Sequence, residues 1–109
     1  MEVTVSCRHI DLTAEQRQRV TQKIAKLGRI VGGMERADVL FTEERNPRIS
    51  SREVCEVTMG GNGHLVVATC AATDPIAAVD AAVEKLEHQL LSLKSRLQAQ
   101  HHGKAHKTA

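Results

Sequence analysis

The sequence predicts an α+β fold, a two-layer β-α-β-β-β-α sandwich in which two helices pack on one face of a four-stranded sheet. Several short stretches alternate polar and apolar residues, as half-buried strands do. A glycine-rich turn at residues 60–63 joins two of these stretches. Two longer segments repeat apolar residues at helical spacing. The 109 residues suffice for one domain with one modest core.

A strand followed by a helix begins the chain. Residues 2–7 alternate polar and apolar side chains, which indicates a half-buried strand. Thr13 and Gln16 have the spacing of a capping box, which opens a helix. Apolar residues then recur on one helix face, and the glycine pair at 32–33 is expected to stop the helix.

Three further strands are expected after this helix, and the four strands are expected to form an antiparallel sheet. Residues 37–43 and 52–59 each place apolar side chains on one face, and Asn46-Pro47 marks a loop between them. The strand at 65–72 follows the hairpin turn. Its opening run of four apolar residues, 65–68, predicts a strand that is covered on more than one side.

The second helix has the clearest beginning of any element. Asp74 can cap it, and Pro75 suits the first helical position, where no N–H group is needed. Apolar residues follow at alternating spacings of three and four from Ile76 to Leu97, so we expect the helix to end near Gln98. Residues 1–98 then form the domain. Residues 99–109, basic and rich in histidine, are predicted to be a disordered tail.

The composition argues against several classes of protein. No run approaches the ~18 apolar residues of a membrane span, and the first residues lack the features of a secretory signal, so a cytoplasmic protein is expected. Three cysteines without C-x-x-C spacing predict small apolar side chains instead of disulfides or zinc ligands. The histidines of the tail, at 101, 102 and 106, lack the spacing of a metal site. We predict no enzymatic activity, no cofactor and no metal.

Basic residues are concentrated in the two helices although the net charge is only +2. Residues 17–29 carry five cations and no acid, and residues 85–109 carry five cations and one acid. Each helix has a basic or polar stripe beside its apolar stripe. If the helices pack side by side, these stripes line a shared groove or ridge suited to phosphates. The predicted RNA-binding residues are Arg19, Lys23, Lys26, Arg29, Lys85, His88, Gln89, Lys94 and Arg96.

The helix sequences resemble a known family. The first helix reads Asp11-x-Thr13 and then Arg17-x-x-Val20-x-x-Lys23-x-x-Lys26-Leu27. The second reads Asp74, then Ala77-Ala78-Val79-Asp80, then Lys85-Leu86-x-x-Gln89-Leu90 and Lys94. These patterns are similar to those of the ribosome hibernation-promoting factors, the S30AE family, over residues 1–98.

The resemblance implies a protein that binds the small ribosomal subunit. Its expected contact is 16S rRNA in the channel for messenger and transfer RNA, where it occludes the A and P sites under stress or in stationary phase. Ribosomal proteins that line the channel are further expected contacts. Lys23, Lys26, Lys85 and Lys94 match basic positions of the family, and His88 stands where Arg is common. A monomer without a membrane or small-molecule partner is expected.

Two alternative functions remain open from the residues alone. Two helices on one face of a small sheet are also the layout of double-stranded-RNA-binding domains. Those domains place cations at a helix N-terminus, whereas here the cations follow the helix flanks. The leucine heptads of residues 76–97 could instead form the seam of a coiled-coil homodimer.

Overall fold

The computed structural model describes residues 1–44, 48 and 52–108, with side chains as far as Ala99. The predicted loop at Asn46-Pro47 lies outside the described residues. The order of elements is the predicted one. The elements are β1 (Glu2–Arg8), α1 (Ala14–Leu27), β2 (Arg36–Glu44), β3 (Arg52–Gly61), β4 (His64–Ala72) and α2 (Pro75–Thr108).

The four strands form one mixed sheet in the order β1-β2-β3-β4, which confirms the α+β class. β2, β3 and β4 are antiparallel neighbours, but β1 lies parallel to β2. The expectation of a wholly antiparallel sheet is therefore wrong. The reason is that α1 connects β1 to β2, and a crossover helix returns the chain to the starting end of the sheet.

Both helix starts are capped as predicted. The hydroxyl oxygen of Thr13 accepts from the Gln16 amide at 3.1 Å, and the Gln16 side chain accepts from the Thr13 amide at 2.9 Å. The Asp74 carboxylate accepts from the Ala77 amide at 2.9 Å. These bonds satisfy amide donors that the first turn of a helix leaves without partners.

The core lies between the helices and one face of the sheet. α1 contributes Val20, Ile24 and Leu27, and the strands contribute a row that includes Phe41 and Met59. The leucine stripe of α2 belongs to the same core, because Leu86 and Leu90 are fully buried in the single chain. A coiled-coil seam through these leucines would require them to be exposed in the monomer, so the heptads serve the fold.

β4 is covered on one face only. Its outward-facing side chains at Leu65 and Val67 are 62% and 44% exposed, whereas Ala68 and Cys70 face the core. The prediction of a strand covered on more than one side is therefore wrong. A continuous apolar run resembles a doubly covered strand in sequence, but both helices lie on the same face of this sheet.

α2 continues past the end expected near Gln98 and reaches Thr108. Leu97 is the last side chain that packs against the core. The residues beyond it include good helix formers and no proline, so nothing local stops the helix where the apolar spacing ends. The division into a domain at 1–98 and a separate tail at 99–109 stays a prediction.

The three cysteines lie in one row across the core face of the sheet. Cys7 pairs in register with Phe41, Phe41 with Cys55, and Cys55 with Cys70. All three are free thiols, and Cys55 and Cys70 are buried. Burial raises the pKa of Cys55 to about 12, and the neighbouring Cys70 adds to the shift. These thiols are therefore apolar packing groups, as the sequence predicted.

The loop before β2 packs tightly on the end of β3. The Glu35 amide donates to the Gly60 carbonyl at 2.9 Å. A Cβ atom on Gly61 would overlap the Gly33 carbonyl oxygen and lie 2.5 Å from the Glu35 nitrogen. Both obstacles are backbone, so a side chain at 61 has no room. The absence of a side chain at Gly61 thus allows this loop to close on the sheet.

We expect Gly61→Ala to destabilise the fold by about 1–3 kcal/mol, the usual effect of overpacking. Urea denaturation measures the change. Gly32→Ala is the matched control, because a Cβ there has nothing within 4 Å. Equal stabilities for the two variants would contradict the tight packing of this loop.

Candidate nucleic-acid interface

α1 is fixed to the sheet in a way that determines where its cations point. Its apolar stripe is buried. Arg17, on the β1 side of the helix, donates to the Val5 carbonyl at 3.2 Å and contacts the Cys7 sulfur at 3.7 Å. Arg19, Lys26 and Arg29 are exposed. Arg17 therefore serves the fold, whereas these three cations are free to meet a ligand.

Lys23 lies in a groove between the two helices and is not a free cation. Its ammonium is 2.7 Å from a carboxylate oxygen of Asp80, and the two side chains are 33% and 52% exposed. Exposed ion pairs contribute little to stability, typically about 0.2–1 kcal/mol. The pair nevertheless neutralises the positive charge of Lys23, which would otherwise attract a phosphate. The groove is lined by Lys23, Lys26, Leu27, Ile30, Asp80, Val83 and Glu87.

The predicted cations of α2 divide between its two flanks. His88, Gln89 and Arg96 line a crevice on the side of β4, together with Ser92, Leu65 and Val66. Lys85 precedes Gln89 by one turn and shares that flank. Lys94 follows Glu87 by seven residues, which places it on the flank toward α1.

The structure therefore corrects the shared groove predicted from the two stripes. The α1–α2 groove contains two cations and two acids, Asp80 and Glu87. The polar side chains of the β4–α2 crevice are all neutral or basic. The stripes are separated because α1 contacts one flank of α2 while β4 lies under the other. The cations share the outward side of the helix layer, but they do not converge in one groove.

Gln89 has a structural contact that the sequence did not reveal. Its side-chain amide donates to the Val67 carbonyl at 2.9 Å, and the side chain is partly buried. Val67 lies on an edge strand, so this carbonyl has no neighbouring strand to bond. Within the predicted interface, Gln89 is therefore held against the sheet, while His88, Lys85, Lys94 and Arg96 are exposed.

Three carboxyl groups lie near one another at the end of the domain where both helices begin. Glu43 and Glu53 are register partners on β2 and β3, so these two carboxylates come together from neighbouring strands. Burial raises the pKa of Glu53, and the charges of Glu43 and Asp74 add to the shift. One oxygen of Glu53 is buried without a hydrogen-bond partner.

Metal sites and membrane-spanning helices were also sought in the described part of the chain. Those residues contain no group of three or more side chains that could hold a metal ion. The side chains of the tail histidines, His101, His102 and His106, lie outside the described residues. Among the described helices, none combines the length and apolar character of a membrane span.

A protein-family comparison matches nearly the whole chain. The family named Ribosomal S30AE, described as "Sigma 54 modulation protein / S30EA ribosomal protein", matches residues 3–98. The chain is 30% identical to the ribosome hibernation promoting factor of Azotobacter vinelandii over 96 residues, covering 88% of this chain and 85% of that protein. It is 29% identical to the factor of the same name from Pseudomonas putida, covering 96% and 98% of the two chains.

Solved structures share the fold. The Protein Y N-terminal domain of Thermus thermophilus superposes with a TM-score of 0.72 at 26% identity, covering 85% of this chain and 99% of that one. A ribosomal subunit interface protein from Coxiella burnetii gives a TM-score of 0.71 at 20% identity, with coverages of 87% and 99%. The second likeness is in fold alone.

We expect Asp80→Asn to strengthen binding to single-stranded polyuridylate by roughly two- to tenfold, because it frees Lys23 for one more phosphate contact. Fluorescence anisotropy at low salt measures the affinity. Glu84→Gln removes an exposed acid one turn away on the same helix and controls for the loss of charge alone. Equal gains from both variants would show that the ion pair does not restrain Lys23.

We expect Glu53→Gln to stabilise the fold at neutral pH by about 0.5 kcal/mol, a value reduced for solvent screening. The raised pKa means that folding favours the protonated carboxyl, so the charged form is the unfavourable one. The gain should fall as pH drops through the raised pKa and vanish below the ordinary value of 4.5. Chemical denaturation across pH measures this, with exposed Glu44→Gln as control. A gain that persists in acid would contradict this cause.

Proposed function

The chain belongs to the S30AE family of ribosomal proteins, and from this we propose that it silences translation by occupying the small ribosomal subunit. The names of its relatives support a ribosome-associated role in hibernation. The proposed target is 16S rRNA in the channel for messenger and transfer RNA. A domain lodged there occludes the A and P sites during stress or stationary phase.

The observation that carries the proposal is the array of exposed cations on the outward side of both helices. Their apolar stripes are buried on the sheet, so each helix presents charged side chains on a rigid support. Spaced cations contact phosphates and release the counterions that surround RNA. The proposed contacts from α1 and α2 are Arg19, Lys26, Arg29, Lys85, His88, Lys94 and Arg96.

Two further residues of the predicted interface have divided roles in this proposal. Lys23 is shared between Asp80 and RNA, because its ion pair is open to solvent. A phosphate that approaches Lys23 must compete with that carboxylate. Gln89 on α2 is bonded to the Val67 carbonyl of β4. Its side chain can contact RNA only after this hydrogen bond breaks.

The proposed mechanism is competitive occlusion and requires no chemical step. The cation array is spread over two helices, which suits a wide, preformed RNA surface. Ribosomal proteins lining the channel are additional proposed contacts. We propose that the chain acts as a monomer in the cytoplasm, where ribosomes are found. A free RNA duplex is the alternative target and serves as a competitor in the test.

The test is co-sedimentation with separated ribosomal subunits at low and moderate salt. We expect pelleting with the small subunit that salt and initiator transfer RNA weaken, whereas a free RNA duplex competes poorly. Pelleting with neither subunit would overturn the proposal. Efficient competition by the duplex would favour a double-stranded-RNA-binding module.

Charge-matched double variants locate the contact surface. We expect Lys26→Gln with Arg96→Gln to lower affinity for the small subunit by about tenfold or more and to reduce the salt dependence by roughly two phosphate contacts. The control, Arg8→Gln with Arg52→Gln, removes two exposed cations from the other face of the sheet. Equal losses for both double variants would contradict a binding surface on the helices.

A further inference from the structure

β4 is an unusual edge strand. From Leu65 to Ala72 it contains no charged residue and no proline, and it exposes Leu65 and Val67 on its outer face. Natural sheets usually protect their edges with charges, proline or bulges, because an open edge can pair with another chain. The opposite edge, β1, carries charged residues at Glu2 and Arg8. Of the two edges of the described sheet, β4 alone has the composition of a strand that accepts a neighbour.

The backbone of β4 presents its free groups beside α2. Val67 directs its carbonyl away from β3, because that oxygen accepts from the Gln89 side chain at 2.9 Å. The N–H and C=O of one residue point to the same side of a strand, and the direction alternates along the chain. The backbone N–H and C=O groups of Leu65 and Thr69 therefore also point away from β3. The Gln89 amide occupies the place where the peptide N–H of a fifth strand would donate.

The space beside this edge has walls of different chemistry. The crevice between β4 and α2 is lined by Leu65, Val66, His88, Gln89, Ser92 and Arg96. Its helix side is basic, since Lys85 and Arg96 lie on the same flank of α2 and none of the described residues that line the crevice is acidic. On the outer face of the sheet the edge is apolar. A strand placed here would have alternate side chains in these two environments.

We propose that the β4 edge binds an extended acidic peptide as a fifth strand, and that Gln89 holds the edge closed until the peptide displaces it. The fitting sequence alternates acidic residues, which face Lys85 and Arg96, with apolar residues beside Leu65 and Val67. Backbone hydrogen bonds supply affinity, and the two walls supply specificity. This interaction with protein goes beyond the proposed binding of rRNA and does not depend on it.

Charge and geometry favour this occupant over two others. A second copy paired through its own β4 would place the two α2 helices side by side on one face, with Lys85 and Arg96 of both copies opposed. An RNA strand would satisfy the cations but leaves the outward backbone groups of β4 without partners of matching spacing. An acidic peptide satisfies both the backbone and the cations.

The probe is a fluorescein-labelled peptide of about ten residues, a typical strand length, that alternates Glu and Val. We expect saturable binding by fluorescence anisotropy and slowed amide exchange at Leu65, Val67 and Thr69. A peptide alternating Lys and Val should not bind. A Glu-Val peptide with N-methylated amides on one edge keeps its charge but cannot pair, and it should not bind either. Equal binding of the methylated peptide, or no binding of the parent, overturns the proposal.

Two protein variants test the edge directly. Val67→Pro removes an outward N–H group, which an edge strand tolerates, and it should abolish binding. Val5→Pro is the control for proline on the β1 edge, where the replaced side chain packs against the core, and the variant, once shown to be folded, should bind as the parent chain does. Gln89→Ala should raise affinity roughly two- to tenfold, the range expected when one net hydrogen bond no longer competes. Unchanged affinity in both Val67→Pro and Gln89→Ala would show that the peptide contacts only the helix cations.

Discussion

The burial of both helices on a single face of the sheet is the constraint on which the rest of this structure depends. Val20 and Ile24 on α1, and Leu86 and Leu90 on α2, are fully buried against the strands. Each such side chain stabilises the fold by roughly 1.5–3 kcal/mol relative to exposure. Once these stripes are buried, the rotation of each helix is fixed. The cations between and beside the stripes must then face outward.

The same packing makes some polar groups serve the fold before they can serve a ligand. Lys23 meets Asp80 because the helices lie side by side, and Gln89 meets Val67 because α2 lies along an edge strand. These contacts reduce the positive charge and the hydrogen-bonding groups available to a ligand. The surface proposed to bind RNA lies on two flanks of α2 and the exposed side of α1. It suits a broad RNA surface better than a single bound strand.

The sequence predicted what depends on local spacing and missed what depends on pairing between distant segments. Capping at Thr13 and Asp74 and the buried leucine stripe of α2 were predictable, because each involves residues a few positions apart. The parallel pairing of β1, the Lys23–Asp80 ion pair and the meeting of Glu43 with Glu53 join residues far apart in the chain. The exposure of Leu65 was unpredictable because an apolar run does not reveal how many faces are covered.

A structure of the chain bound to the small ribosomal subunit, determined by cryo-electron microscopy, tests the central claim most directly. The account predicts density for the domain in the channel for messenger and transfer RNA. In that density, Lys26 and Arg96 should lie within contact distance of 16S rRNA phosphates, and the outer face of the sheet should point away from them. Density outside the channel, or rRNA packed on the outer face near Arg8 and Arg52, would contradict it.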